Sequence, residues 1–358
     1  MSTPIVERLT TLGLIDWGEP HHLTGGEVSA LCSAAPQDGL VCLLGAAIDL
    51  GRVEVDEQSR SLVVEAWTEL MARAVQLDEL LLPVVDVLER SEIDHRVLKG
   101  AAVASLDEID PAWRSYGDVD VLVPAHRLLA AADSLASLDL HPVAEPVSRR
   151  WAGRYAKSMT LVHPSGAQVD LHRMLAAGPF GSRLRAACLF EQGRPFRVGD
   201  RELMALSDVH RLLHACYHAT LGGSRGARHR RDILLLAHRV SPSALTAELA
   251  DGWSPAVVSD ALRWAGEPAL PDGWVGWLRD VRLEPADEEL IRVYSGSFRD
   301  VAFAELRELR GVTSRARYAG ALLWPSRANL AARGRRRISH LRDLTSRGRQ
   351  ARTARDHP

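Results

Sequence analysis

The stretch Tyr116-Gly117-Asp118-Val119-Asp120-Val121-Leu122-Val123 places two aspartates two residues apart in a run of apolar, largely β-branched residues that predicts a strand. Side chains alternate across a strand, so Asp118 and Asp120 are expected on one face. Two like charges on one face of a largely buried strand repel each other and lose hydration. A hard divalent cation between them relieves both costs, and the pair therefore predicts a metal site.

A third acid is expected from residues 158–172, a segment that predicts a β-hairpin with Pro164-Ser165-Gly166 as its turn. Apolar and polar residues alternate in its second arm, which puts Asp170 and His172 on the polar face while the apolar residues pack inward. Asp170 is thus predicted to converge with the two aspartates of the neighbouring strand.

Residues 96–106 predict a short strand, a turn containing Gly100 and the first turns of a helix. The N-terminus of such a helix presents free N–H groups to a phosphate. Of the 44 lysine and arginine residues only two, Lys99 and Lys157, are lysines, so a lysine at this turn is improbable by chance. Lys99 and the N–H groups after Gly100 are therefore predicted to bind phosphate.

These motifs resemble the uncharacterised nucleotidyltransferase-like proteins of the DNA polymerase beta-type superfamily. The resemblance covers roughly residues 60 to 240. It rests on Leu98-Lys99-Gly100, Arg114 followed by Asp118-Val119-Asp120, Val169-Asp170-Leu171-His172, and a helical segment with His214, His218 and Asp232. In the wider superfamily a Gly-Ser pair begins the helix that holds the triphosphate, and Lys99-Gly100 stands in its place here. The implied fold is α/β (α+β), with a nucleotidyltransferase-type mixed sheet core flanked by N-terminal and C-terminal helical regions.

The resemblance also implies two-metal chemistry, in which Mg²⁺ or Mn²⁺ is bound by Asp118, Asp120 and Asp170. One ion neutralises the leaving pyrophosphate of a nucleoside triphosphate, expected to be ATP, and the other lowers the pKa of the attacking hydroxyl. Asp170 could also accept the hydroxyl proton, and Arg114 is a second cationic contact for the phosphates. Further residues expected at the substrate or beside the acids are His172, His214, His218 and Asp232.

Three histidines, His210, His214 and His218, are spaced four residues apart and share one helical face, which is compatible with zinc bound by an i, i+4 pair. No carboxylate-His motif of the zinc-hydrolase type accompanies them, so histidines that face a cleft or pack in the core are favoured. For His172, contact with substrate and a hydrogen bond to the neighbouring acid are both open.

The sequence predicts four segments along the chain. They are a helical N-terminal region (1–95), a nucleotidyltransferase-like catalytic core (96–205), a helical C-terminal region (206–310) and an arginine-rich tail (311–358). Strand and helix signals alternate in the core, with a helix over Ala125–Leu138 and a hairpin around Phe196–Leu203. Ser207 is the predicted N-cap of the next helix, Asp208–Thr220.

The composition, with 46% hydrophobic and 25% charged residues among 358, is typical of a soluble globular enzyme. The sequence has no signal-peptide pattern and no apolar run long enough for a transmembrane helix, so a cytoplasmic protein without a membrane span is expected. The cysteines form no CxxC pair, which argues against a zinc knuckle or a disulfide framework and fits a reducing compartment. They are Cys32, Cys42, Cys188 and Cys216.

Charge is distributed unevenly along the chain, since residues 1–95 hold 17 acidic and 5 basic side chains whereas residues 311–358 hold 12 arginines and two aspartates. The basic tail could bind RNA or an anionic membrane surface. A solvated terminal helix, or one that docks on the acidic N-terminal region, is the favoured interpretation, because the tail lacks base-stacking aromatic residues.

Two classes of function follow. The first is a Mg²⁺-dependent enzyme that transfers a nucleotidyl group from a nucleoside triphosphate to a hydroxyl of a small molecule or peptide, with RNA as a further acceptor supported only by the tail. Because Lys99-Gly100 replaces Gly-Ser, a kinase-like phosphotransferase tailoring a peptide natural product is a variant, and an RNA-modifying toxin-like nucleotidyltransferase is another. The second class is a non-catalytic nucleotide-binding scaffold, against which the retention of all three acids argues. The acceptor, the nucleobase and the oligomeric state stay open.

Overall fold

The structure is a computed structural model that describes residues 4–34, 38–144, 148–222, 225–294, 296, 298–309 and 311–323. Its strands are β1 (His21–His22), β2 (Val53–Glu54), β3 (Arg96–Leu98), β4 (Val119–Leu122), β5 (His141–Pro142), β6 (Ser158–Val162), β7 (Gln168–His172), β8 (Gly193–Val198) and β9 (Arg201–Leu206).

In chain order, helices precede, separate and follow these strands. Before and within the strand region they are α1 (Pro4–Thr10), α2 (Gly25–Cys32), α3 (Leu40–Asp49), α4 (Glu57–Arg90), α5 (Lys99–Leu106), α6 (Leu128–Leu135), α7 (Arg149–Tyr155), α8 (Gly178–Arg183) and α9 (Cys188–Glu191). After the last strand they are α10 (Asp208–Leu221), α11 (Ala227–Ala237), α12 (Pro242–Glu248), α13 (Pro255–Ala265), α14 (Asp272–Asp280), α15 (Pro285–Tyr294), α16 (Phe298–Glu308) and α17 (Val312–Leu323).

Seven strands form one mixed sheet in the order β5-β6-β7-β4-β3-β9-β8, and β1 pairs separately with β2. Strand β4 runs parallel to β7 and antiparallel to β3, so it lies at the centre of the sheet with a neighbour on each side. This mixed sheet, flanked by helices at both ends of the chain, confirms the predicted fold class.

The β6–β7 hairpin follows the predicted pattern. The two arms pair antiparallel, and the Gly166 N–H donates to the His163 carbonyl at 2.8 Å inside the turn. Gly166 has φ of +85°, a conformation that residues with a side chain rarely adopt, which explains a glycine at this position. Residues Leu161, Val169 and Leu171 are fully buried, as the alternating pattern requires.

Helix starts also follow local sequence signals. The Ser207 hydroxyl accepts a hydrogen bond from the His210 N–H and caps α10, which ends one residue beyond the predicted range. The predicted helix over Ala125–Leu138 is present as α6 with a 3₁₀ turn at each end. The N-terminal region is mainly helical, and its longest helix, α4, contains Pro83.

Apolar side chains form three buried clusters. One lies between the sheet and helices α4 and α6, a second surrounds α10, α11 and α13, and a third joins the N-terminal helices. The sheet therefore packs on a long helix on one side, and it shares part of its apolar surface with the C-terminal helices.

Buried ion pairs connect the loop after α5 to the C-terminal helices. Arg211 of α10 donates two hydrogen bonds to the Asp107 carboxylate, at 2.8 and 3.0 Å. Arg231 of α11 donates two hydrogen bonds to the Glu108 carboxylate, at 2.6 and 3.0 Å, and both of these side chains are almost completely buried. This arrangement ties α10 and α11 to the loop after α5, the helix that begins at Lys99 of the predicted site.

No helix of the described residues is long and apolar enough to cross a membrane. The four cysteines are free thiols, and three of them are buried. The arginine-rich tail beyond Leu323, on which the prediction of RNA binding rests, lies outside the described residues.

Candidate active site

Two of the predicted acids lie side by side on the central strands. Asp120 of β4 is the direct partner of Asp170 of β7 in the parallel register, and Leu98 of β3 is its partner on the other side. Asp118 was predicted inside this strand, but β4 begins one residue after it, at Val119. Asp120 and Asp170, which lie on separate segments of the sequence, are therefore neighbours in the middle of the sheet.

Asp120 is the most tightly held of these acids, and it is only 4% exposed. Its Oδ1 atom accepts hydrogen bonds from Lys99 Nζ at 2.8 Å and from His172 Nε2 at 2.7 Å. Burial alone would raise the pKa of Asp120, but the Lys99 ammonium and the His172 hydrogen bond outweigh it and hold the pKa well below its usual range. Asp120 is thus a carboxylate anion at neutral pH.

Asp118 is in the opposite electrostatic situation. Burial and the neighbouring charges of Asp120 and Asp170 raise the pKa of Asp118 to about 6, although Lys99 lowers it in part. Like charges held this close to one another increase the affinity for a bound cation, because the cation removes the repulsion.

His172 is buried beside Asp120, and burial lowers its pKa. The imidazole is therefore neutral, and its contact with Asp120 is a hydrogen bond in which Nε2–H donates, rather than an ion pair. Its Nδ1 atom has no hydrogen-bond partner among the described residues. The hydrogen bond of His172 is to Asp120 of the adjacent strand and not to Asp170 of its own strand, and contact with substrate stays a prediction.

The backbone changes direction sharply where β3 meets α5. Lys99 has φ of +40°, which a residue with a side chain adopts only at a cost of roughly 1–3 kcal/mol. At Gly100 a Cβ atom would lie 3.3 Å from the Tyr116 ring, tighter than ordinary contact. The strained turn directs the Lys99 side chain toward Asp120, and the lysine side chain remains 21% exposed.

The second lysine of the chain also lies at this site. Lys157 directly precedes β6, and its carbonyl accepts a hydrogen bond from the Arg173 N–H, which extends the β6–β7 pairing by one residue. Burial lowers the pKa of Lys157 to about 8, and repulsion from Lys99 adds to this effect. No role was predicted for Lys157 from the sequence, although the rarity of lysine in this chain could have indicated one.

Histidines from the C-terminal helices cover one side of Lys99. A narrow cavity beside Lys99 is lined by His214 and His218 of α10 and by His229 and Asp232 of α11. Burial lowers the pKa values of His214 and His218 well below the usual value, so both are neutral. His214, His218 and Asp232 thus line this cavity, and their contact with substrate stays a prediction.

His210, on the same helix, faces elsewhere. Its Nε2 atom lies 3.0 Å from a Glu248 carboxylate oxygen, and its ring stacks on Trp253. Among the described residues, no group of three or more possible metal ligands includes His210, His214 or His218.

Arg114 pairs with Asp232, and its side chain is only 4% exposed. Both terminal nitrogens of the guanidinium contact the Asp232 carboxylate, one of them at 3.0 Å. Phosphate binding by Arg114 stays a prediction, and the geometry favours a link between the loop before β4 and α11.

A divalent metal fits the acids. Among the described residues, Asp120, Asp170 and His172 bring ligand atoms within 4.8 Å of one another. Carboxylate oxygens are the ligands that Mg²⁺ prefers, and a cation would offset the repulsion from Asp120 and Asp170 that adds to burial in raising the pKa of Asp118. His172 already donates to Asp120, and Asp118 is not part of this group, so Mg²⁺ binding by Asp118, Asp120 and Asp170 stays a prediction.

The family model that describes uncharacterised nucleotidyltransferases matches residues 25–250 of the chain. The chain belongs to this family. This nucleotidyltransferase is therefore a transferase, as the sequence motifs predicted. A search of curated proteins found no match to it.

Several solved structures are similar to this nucleotidyltransferase over part of its length. The antibiotic-resistance factor ANT(2'')-Ia is 12% identical, with a TM-score of 0.35 over 48% of this chain and 89% of its own. The lincosamide antibiotic adenylyltransferase LnuA, solved with lincomycin, is 16% identical, with a TM-score of 0.30 over 44% and 93%. An antigenic nucleotidyltransferase-like protein from Paracoccidioides brasiliensis is 15% identical, with a TM-score of 0.35 over 59% and 95%. None of these similarities is strong enough to assign a substrate.

Proposed function

We propose that this nucleotidyltransferase transfers a nucleotidyl group from a Mg²⁺-bound nucleoside triphosphate to a hydroxyl of a small molecule or peptide. The observation that carries the proposal is the register of Asp120 against Asp170, with Asp118 beside them and Lys99 bonded to Asp120. A reducing, cytoplasmic environment, with ATP as donor, completes the proposal.

Asp118, Asp120 and Asp170 would hold the divalent metal. A bound divalent cation neutralises charge on the phosphates and lowers the pKa of a hydroxyl beside it. His172 keeps Asp120 oriented through the 2.7 Å hydrogen bond, so this carboxylate has one orientation before substrate arrives.

The transfer makes one bond and breaks one bond. The acceptor hydroxyl oxygen bonds to the α-phosphorus, and the bond from that phosphorus to the bridging oxygen breaks. Pyrophosphate leaves with the electron pair of that bond, and the hydroxyl proton goes to the Asp170 carboxylate. The protein contributes position and charge and no nucleophile of its own.

Lys99 and the N–H groups after Gly100 would bind the donor phosphates. An ammonium held 2.8 Å from Asp120 can exchange its carboxylate partner for a phosphate oxygen when the acids take up metal. The acceptor would enter beside His214 and His218, since neutral imidazoles can donate or accept a hydrogen bond to a hydroxyl.

Nucleotide binding and group transfer test the proposal together. ATP, GTP, CTP and UTP are titrated calorimetrically with and without Mg²⁺ into the wild type and into an Asp118→Asn/Asp120→Asn variant. ATP labelled at the α-phosphate or at the γ-phosphate is then incubated with candidate hydroxyl acceptors. Transfer of the α-label with release of pyrophosphate is expected.

The matched control is Asp133→Asn, which removes an exposed acid of α6 that pairs with Arg149 on the surface. It should bind nucleotide like the wild type. Transfer of the γ-label, with release of a nucleoside diphosphate, would replace the proposal by a kinase-like reaction. Failure of the wild type to bind any nucleotide would overturn the proposal.

A further inference from the structure

The two lysines of the chain adjoin strands that lie on opposite sides of the two acid-bearing strands. Lys99 follows β3, which is the neighbour of β4 on one side, and Lys157 precedes β6, which is the neighbour of β7 on the other. Since β4 and β7 carry Asp120 and Asp170, the strands with the acids lie between the two segments that carry the lysines. Apart from the histidines, every other basic residue of this protein is an arginine.

The two ammonium groups differ in their partners. Lys99 is paired with Asp120, whereas no carboxylate of the described residues lies within 4.0 Å of Lys157 Nζ. Lys157 is half-buried, and an ammonium in a partly desolvated position without a counter-ion carries a free-energy penalty. Burial is the main cause of its lowered pKa of about 8, and repulsion from Lys99 adds to it.

Lys157 adjoins the site in the strand register, because its neighbour Ser158 is the partner of His172, which bonds Asp120. Burial is the main reason for the lowered pKa values of His172 and His214, and the charge of Lys157 lowers both further. Lys157 also repels Lys99 and is attracted by Asp120 and Asp170. The charge of Lys157 therefore interacts with Lys99, with the two acids and with the two histidines.

A polyphosphate is the ligand that suits two cations in this arrangement. A metal ion would be repelled by Lys157, and a neutral hydroxyl acceptor would not need an unpaired positive charge. A triphosphate has several anionic groups in a row, so one lysine can bind one part of it while the other binds a second part. A lysine contacts phosphate as a compact point charge, which tolerates movement as the bond breaks.

We propose that Lys157 binds the β- and γ-phosphates of the donor, on the far side of the acids from Lys99. The inference rests on the proposed function and adds a residue to it. Lys157 then stabilises the charge that develops on the departing pyrophosphate, and Lys99 holds the phosphate nearer to Asp120.

Ligands of different length test this assignment. Nucleoside triphosphate and nucleoside monophosphate are each titrated calorimetrically, with Mg²⁺, into the wild type, Lys157→Ala and Lys157→Arg. Loss of a charge-assisted hydrogen bond should weaken triphosphate binding to Lys157→Ala by about 10- to 100-fold. Monophosphate binding should be unchanged, and Lys157→Arg should recover most of the triphosphate affinity because it keeps the charge.

Arg154→Ala is the matched control, since it removes a nearby cation that is exposed on α7. It should bind both ligands like the wild type. Equal weakening of triphosphate and monophosphate by Lys157→Ala would overturn the assignment, because that result describes a structural residue. Unchanged triphosphate binding would overturn it too.

A second measurement uses the wild-type protein and does not depend on the folding of a variant. Because the chain has only two lysines, reductive methylation followed by mass spectrometry reports on Lys99 and Lys157 separately. Inorganic tripolyphosphate should protect both lysines, and inorganic phosphate should protect Lys157 less. Protection of Lys99 alone would overturn the inference and leave the proposed function standing, whereas no triphosphate binding by the wild type would overturn both.

Discussion

Two regions of this protein bury charge, and they differ in how the charges are paired. At the contact between the sheet and the C-terminal helices, Asp107, Glu108 and Asp232 each receive two hydrogen bonds from one arginine. At the acid cluster, three carboxylates share one paired lysine and one neutral histidine, and a second lysine has no carboxylate at ion-pair distance among the described residues.

The difference separates structure from function. A buried charge is retained only where something compensates it, because the loss of hydration is costly. In the ion-pair region the compensating group is part of the chain, whereas in the acid cluster it is incomplete and a ligand is required to complete it. Removing a charge should therefore reduce stability in the first region and activity in the second.

The largest effect is expected for Asp120→Asn. The amide keeps the shape and can still accept hydrogen bonds, but it loses the charge that faces metal and phosphate. We expect kcat/KM for nucleotidyl transfer to fall about 10³-fold, which is about 4 kcal/mol of transition-state stabilisation. The free energy of unfolding, measured in urea, should fall by less than this, about 1–3 kcal/mol, through the loss of the charged partner of Lys99. An equal loss of stability and activity would remove the distinction between the two regions.

Glu108→Gln should have the converse effect. The substitution leaves the Arg231 guanidinium, only 1% exposed, without a counter-charge, and we expect a loss of about 3 kcal/mol in the free energy of unfolding. Activity per folded molecule should be retained. The matched control is Glu69→Gln on the exposed face of α4, which should change stability by about 0.5 kcal/mol or less. Unfolding in urea, followed by circular dichroism, measures both variants.

Asp118 predicts a pH dependence of stability in the metal-free protein. Because its pKa is raised to about 6, the folded protein holds a proton that the unfolded chain has lost between about pH 4 and 6. The free energy of unfolding therefore falls as pH rises through this range. Asp118→Asn should be more stable than the wild type at pH 7.5, by about 2 kcal/mol.

The advantage of Asp118→Asn should disappear below about pH 4, where the wild-type carboxyl is protonated in both states. Adding Mg²⁺ at pH 7.5 should stabilise the wild type more than the variant. Thermal unfolding in EDTA and in Mg²⁺ across this pH range gives the comparison. A variant that is less stable than the wild type at pH 7.5 in EDTA would contradict the excess of negative charge at this site.

The smallest effect is expected at the turn that carries Lys99. The Tyr116 hydroxyl donates to Asp78 of α4 at 2.6 Å, and the Tyr116 ring contacts Gly100. Tyr116→Phe keeps the ring and removes the hydroxyl, so we expect a loss of about 1 kcal/mol in stability. Nucleotide affinity should change less than twofold, because the ring still supports the turn. A large loss of affinity would place Tyr116 among the residues that form the site.

Local features of the fold were predictable because their signals lie within a few residues. The hairpin of β6 and β7 has its turn residues and its alternating pattern in one segment. The Ser207 cap of α10 and the strand-turn-helix around Lys99 are local for the same reason. The predicted α/β class followed from the order of these signals along the chain.

Side-chain pairings between distant segments were not predictable. Arg114 and Asp232 were both expected near the substrate, but the distance along the chain gave no indication that they pair with each other. His210 shares its spacing with His214 and His218, yet Glu248 and Trp253 of later segments contact it. Periodicity reports which helix face a residue lies on and does not report what packs against that face.

The sequence by itself determined the candidate acids, the lysine at the turn and the class of fold, because each follows from residue type and alternation within one strand or hairpin. Only the tertiary structure decided that Asp120 lies beside Asp170 and that the Lys157 ammonium has no carboxylate partner among the described residues. Strand register and burial depend on contacts between segments far apart in the chain, and these contacts set the charge balance of the site.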